Sequence, residues 1–259
     1  MDSQDTQISL RVRDLSGDWR ARAAAPTAAL GQDTPAANLS SHREGPYSES
    51  EDIPDDQNCA TWWFNLPPNC TYTMLFASLR NIGAVSDAVI SPRAENSSVT
   101  TAQVVFFDRA SVDRLLGWTS RLQHEPIRIG GRQPHIRISY NKVAAHSNAV
   151  PPTWGYLGRG SRVLDVIGDR RIVTERRLKD LLADPQNNFI CNLEQVHTFS
   201  WTGPLSCVEF RFASYAGQAL RARTFFEDQK SREDLPTAER ALWETVVCFF
   251  APDPCDHID

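Results

Sequence analysis

Twice along this chain the hydrophobic period runs through one order, strand–helix–strand–strand–helix–strand, and few folds accept that order. In the first pass, ATWWFNL (60–66) is aromatic-rich and β-prone. Pro67-Pro68-Asn69-Cys70 turns the chain. Thr71 caps a helix that carries Leu75, Phe76, Leu79 and Ile82 at helical spacing, and Gly83 stands where a C′ glycine ends a helix. AVSDAVIS (84–91) and VTTAQVVFF (99–107) are strands around a loop at 92–98. Asp108 caps a second helix with Val112, Leu115 and Leu116 on one face, and Gly130-Gly131 leads into a fourth strand, HIRISYN (135–141). Two βαβ units split in this way predict an antiparallel four-stranded sheet with both helices on one face.

The second pass follows HSNAVPPTWGYLGRG (146–160), whose Pro and Gly content predicts a linker. RVLDVIG (162–168) is a strand, and Thr174 caps a helix with Leu178, Leu181 and Leu182. NLEQVHTFSW (192–201) and LSCVEFRF (205–212) are strands, and Ser214 caps a helix with Ala216, Ala219, Leu220 and Arg223. ERALWETVVCFFA is read as a short helix entering a strand at 245–250, because the unit otherwise lacks its closing strand. Residues 1–57 are rich in Ala, Pro, Ser and acid and show no sustained period, so a disordered tail is expected there. The expected organisation is α+β: a tail at 1–57, a domain at 58–145, the linker, a second domain at 161–254, and a short tail at 255–259.

Charge narrows the function. The net charge is −5, but 58–145 holds nine basic and five acidic residues, between a tail with five and eleven and a second domain region (161–259) with twelve and sixteen. A strongly electrostatic polyanion binder is excluded, and a modest binder using one basic module is not. No window approaches the roughly 18 apolar residues of a membrane helix, so no membrane partner is expected. The first residues lack the basic-then-apolar order of a secretory signal. Reduced thiols and a nuclear or cytoplasmic location, not a secreted one, are therefore expected for the six scattered cysteines, none in a C-x-x-C pair. The six histidines show no H-E-x-x-H spacing, and there is no G-x-S-x-G elbow or phosphate-binding glycine loop. No enzyme activity, metal or cofactor is expected.

Residues 58–145 resemble the RNA recognition motif (RRM) family, whose domains have this ferredoxin-like βαββαβ order. Thr61-Trp62-Trp63-Phe64-Asn65-Leu66, followed by Pro-Pro, matches the family's strand-1 hexamer, and Val99-Thr100-Thr101-Ala102-Gln103-Val104-Val105-Phe106 aligns with its strand-3 octamer. Alternation turns Trp63, Ala102, Val104 and Phe106 toward the helices and Trp62, Phe64, Thr101, Gln103 and Val105 outward. The resemblance implies single-stranded RNA lying across that outer face, with bases stacked on Trp62 and Phe64 and polar contacts from Gln103, His135 and Arg137. Lys142 would meet a phosphate. The octamer departs from the family pattern: Thr101 and Gln103 replace its two outward aromatics, and Val99 replaces its basic residue. The alternative is a protein partner on an apolar sheet face, or a face covered by the second unit or by the linker's Trp154 and Tyr156. In the second unit, Val163-Leu164-Asp165-Val166-Ile167-Gly168 would be a degenerate hexamer, with Leu164 at the stacking position. Arg170, Arg171, Arg176, Arg177 and Lys179 are read as a solvated face.

Overall fold

The computed structural model describes residues 53–91, 98–120, 125–200 and 203–256, so the disorder expected for 1–52 lies outside the described residues. The first half is built from β1 (Ala60–Leu66), α1 (Tyr72–Ala77), β2 (Val85–Ile90), β3 (Thr100–Phe106), α2 (Arg109–Ser120) and β4 (His135–Ile138). The second half runs β5 (Val163–Asp169), α3 (Glu175–Leu182), β6 (Leu193–Ser200), β7 (Leu205–Phe212), α4 (Arg221–Asp228), α5 (Thr237–Trp243) and β8 (Val247–Phe250). A wide helical turn, Tyr215–Leu220, leads into α4. Both sheets are four-stranded with matching order, β2-β3-β1-β4 and β6-β7-β5-β8, and every pairing is antiparallel. The chain is thus two βαββαβ units of the RRM-type, ferredoxin-like α+β fold.

Local chemistry accounts for the elements. Four side chains cap the helices as the sequence predicts. Thr71 Oγ1 accepts from Met74 N at 3.2 Å, Asp108 Oδ1 from Ser111 N at 2.8 Å, Thr174 Oγ1 from Arg177 N at 3.3 Å, and Ser214 Oγ from Gly217 N at 3.1 Å. Trp63 is fully buried among Leu75, Phe76, Leu79, Val104 and Phe106. Its indole N–H donates to Thr61 Oγ1 at 3.0 Å, and Thr61 in turn donates to the Val104 carbonyl at 3.0 Å. That relay satisfies the one polar atom a buried tryptophan carries. Gly83 has another role than the predicted C′ residue. α1 ends at Ala77, and Gly83 does not have a positive φ. A Cβ there would lie 2.0 Å from Ser111 Oγ, so glycine is required by the close approach of α2. β4 also stops at Ile138, three residues before the predicted strand end.

The two halves meet around a buried cation. Arg162 is fully buried. Its Nη1 donates to Glu194 Oε2 at 2.7 Å and to the Phe212 carbonyl at 3.0 Å. Nε and Nη2 grip the two oxygens of Asp253 at 3.0 and 2.8 Å. The guanidinium lies 3.7 Å over the Phe76 ring of α1. Burial opposes its charge, but Asp253, Cys255 and Glu194 hold its pKa above the ordinary arginine value. Glu194 also takes Arg80 of the first half at 2.6 Å, and Asp253 accepts from Val85 N at 3.1 Å. Backbone bonds run alongside, from Ala88 N to the Ala213 carbonyl at 3.0 Å and from Gly83 N to the Cys255 carbonyl at 2.7 Å.

This packing revises three expectations. The 146–160 stretch is folded onto the second half. Ala149 bridges Arg159, Gly155 bridges Phe250 beside β8, and Arg223 lies 3.7 Å over the Trp154 ring. Cys255, expected in a tail, is fully buried between the halves. Residues 53–57, expected in the N-terminal tail, include a single helical turn, Asp55–Gln57, tied down by Lys142 and Arg109. In each case tertiary contacts order a segment whose composition alone signals a loop.

This packing has three testable consequences. Trp63→Ala should cost about 3–5 kcal/mol in chemical denaturation by emptying a core site, while Trp62→Ala, on the other face, should stay within about 1 kcal/mol. Arg162→Met should cost about 3–5 kcal/mol by leaving Asp253 buried without its cation and Glu194 with Arg80 alone, and adding Asp253→Asn should recover part of that loss. A single proteolytic nick in 146–160 should leave the two halves eluting together by size exclusion.

Candidate nucleic-acid interface

The face of the first sheet opposite its helices is ordered by register. Val89, Gln103, Trp62 and Arg137 stand side by side across β2, β3, β1 and β4, and Phe64 stands opposite His135. Trp62 and Phe64 are half-buried, while His135 and Arg137 are exposed. The rings form a continuous surface, with Trp62 and Phe64 centroids 6.2 Å apart and Phe64 and His135 6.3 Å apart. The Arg137 guanidinium lies 4.5 Å over Phe64 and 4.6 Å over Tyr140. Among the described residues it makes no hydrogen bond or ion pair, so its five donors remain available beside the rings.

The second half does not cover this face among the described residues. It docks on α1, through Thr73 and Phe76, and on the β2 edge, through Ala88. Trp154 packs under Arg223, and Tyr156 is exposed at the tip of the 146–160 strap. One end of the face is closed by the chain after β4. Val143 packs on Cys59, Ala60 and Val105, which leaves Val105 buried although it points outward.

The predicted site residues divide into two groups. Trp62, Phe64, His135 and Arg137 form one patch. Gln103 belongs to the same row, but its Nε2 donates to Ser139 Oγ at 3.3 Å and to the Asn141 carbonyl at 3.4 Å. It therefore holds the segment after β4 in place. Lys142 is engaged by Asp55 at 2.7 Å and by the Ile53 carbonyl at 2.9 Å. Its Nζ thus already carries an anionic partner where a phosphate was expected. Tyr140 is the residue that strand alternation misses. Extending β4 to 141 puts Tyr140 on the helix side, whereas the strand ends at Ile138 and leaves the ring 77 % exposed.

The second sheet presents a different surface. Leu164 faces the helices with Val166 and Phe210, so the predicted stacking register is off by one residue. The outward residue is Asp165, flanked by Glu209 on β7 and Phe249 on β8. His197 on β6 stands opposite Glu209, and Arg211 binds Glu209 at 2.8 Å. Desolvation, followed by the charge of Arg211, lowers the His197 pKa and favours its neutral form. Asp165 and Glu209 are both buried, so this row offers carboxylates where the first sheet offers Trp62 and Gln103. Of the basic run before and along α3, four residues of five are compensated in place. Arg171 binds Asp169, Arg177 binds Glu239, Lys179 binds Glu175, and Arg176 lies 3.8 Å from Asp180.

No helix among the described residues is long and apolar enough to cross a membrane, and no cluster of three metal-ligating side chains is found among them. No protein-family model matches the sequence, and no curated protein matches it. Solved structures to which the chain is similar include the first two RRM domains of the yeast poly(U) binding protein, at 13% identity and a TM-score of 0.27, over 73% of this chain and 96% of that one. RNA recognition domains 1 and 2 of Sex-lethal from Drosophila melanogaster match at 15% identity and a TM-score of 0.25, over 75% and 100%. An Sxl-lethal protein/RNA complex matches at 16% identity and a TM-score of 0.24, over 64% of this chain and 88% of that one.

Proposed function

We propose that the open face of the first sheet binds single-stranded RNA without catalysis. Bases stack on Trp62 and Phe64, and Arg137 meets the backbone. The observation that carries this reading is Arg137. It is held between two rings on an open sheet with its donors unengaged among the described residues, which suits a ligand rich in acceptors and planar surfaces. An antiparallel sheet spreads such groups in a plane, so unpaired bases lie flat on the rings while the sugar–phosphate backbone runs past the cation. The corresponding row of the second sheet holds buried Asp165 and Glu209, the latter already bound by Arg211, and among the described residues offers no ring beside a free cation, which gives that half a scaffolding role.

Anisotropy titration with a labelled single-stranded RNA oligonucleotide of random sequence tests the reading. Trp62→Ala should weaken binding by about 1–3 kcal/mol while the melting transition holds. Because Lys142 already faces Asp55, the slope of log K against log salt should lie near −0.7 to −1.5, at about 0.7 per phosphate. A slope steeper than about −5 would place binding on another, basic surface. If the wild-type chain gives no titration, the apolar face serves a protein partner instead.

A further inference from the structure

The RRM resemblance implies rings on both β1 and β3, yet here β3 presents Thr101 and Gln103. The nearest further ring is Tyr140, beyond the end of β4. Its backbone is pinned on both sides. Ser139 N donates to the Ala60 carbonyl at 2.9 Å, and the Ser139 carbonyl accepts from Asn58 Nδ2 at 2.8 Å. The Asn141 carbonyl accepts from Gln103 Nε2 at 3.4 Å. Two residues on, Val143 N donates to Asn58 Oδ1 at 3.1 Å, and its carbonyl accepts from Cys59 N at 2.7 Å. A large ring, mostly in water and carried on a fixed backbone, loses little entropy when a flat ligand covers it. Arg137 links this ring to Phe64 by lying over both.

We infer that Tyr140 is a second nucleobase platform. The RNA strand crosses from Trp62 and Phe64 toward β4 and leaves the sheet over Tyr140, rather than crossing toward β3. Arg137, between the two platforms, meets the phosphate backbone that joins the nucleotides stacked on either side. This rests on the RNA-binding reading above and specifies the path taken over that surface. Stacking on Tyr140 is uncharged and contact with Arg137 is charged, so the two roles separate by salt dependence.

The experiment uses the full chain and a labelled random-sequence single-stranded RNA, titrated at several salt concentrations. Tyr140→Ala should weaken binding about 5- to 100-fold with the salt slope unchanged, and Tyr140→Phe should retain wild-type affinity. Thr101→Ala should stay within about twofold, since it removes no ring. Arg137→Gln should flatten the slope by about 0.7, the share of one phosphate. Photocrosslinking to iodouridine-substituted RNA should label the peptide that carries Tyr140. Wild-type affinity in Tyr140→Ala together with a clear loss in Trp62→Ala would overturn this path and leave RNA binding standing. Crosslinks confined to the peptide with Thr101 and Gln103 would do the same. A flattened slope in Tyr140→Ala would mean that the ring acts only by holding Arg137, and would also overturn it. Absence of binding by the wild-type chain would remove the RNA reading and this inference together.

Discussion

The arrangement of the two halves depends on the charge of Arg162. A guanidinium with no solvent exposure is tolerated only where anions and carbonyls replace the water it has lost. Its partners come from separate segments: Glu194 from β6, Phe212 from the end of β7, and Asp253 from the C-terminal segment after β8. Those partners reach into the first half through Arg80 and the backbone of Val85. Apolar surfaces alone would tolerate small slips between the halves. A buried charge with directional donors does not, because each slip strands a donor or a carboxylate. The network contributes less to net stability than to uniqueness of docking, since desolvation offsets much of its Coulomb attraction.

That docking decides which surfaces are left for function. It occupies α1 and the β2 edge of the first half, both away from the outer sheet face. The two sheets then present opposite chemistry at equivalent positions of one topology: Trp62, Gln103 and Arg137 in the first, Asp165, Glu209 and Phe249 in the second. A buried carboxylate in the middle of a sheet face removes a stacking surface. One unit therefore carries the candidate site, and the other holds the strap, the C-terminal segment and the partners of the buried arginine.

Most of the fold is legible in the sequence, because the element order and the four capping residues are local signals. The registers of β1 and β3 are legible as well, because the hexamer and octamer of the RRM resemblance set the phase of alternation there. β5 defeats the same reasoning. Val163 to Gly168 are all buried, so the strand reads as a continuous apolar run with one acid and offers no alternation to set its phase. A one-residue slip then exchanges Leu164 for Asp165 and inverts the character of the face. The docking of the 146–160 strap is not legible for a different reason. Pro and Gly report the turns in 146–160 correctly, but say nothing of whether those turns dock. The partners of Lys142 and Gln103 depend on contacts from Asp55 and from the chain after β4, which no periodicity encodes.

The departure of β3 from the RRM pattern and the position of Tyr140 are connected physically. An aromatic ring at position 103 has no amide with which to hold the Asn141 carbonyl and the Ser139 hydroxyl. Gln103 supplies one and draws the segment after β4 back across the edge of the sheet. That segment then closes the end of the face through Val143 and lifts Tyr140 out at its rim, where Arg137 bridges it to Phe64. Replacing Gln103 with a ring would restore a platform on β3 and remove two of the bonds on the segment after β4, leaving those with Asn58, Cys59 and Ala60. The side chain that looks like a loss when strand 3 is read alone is one of the ties on the segment that carries Tyr140.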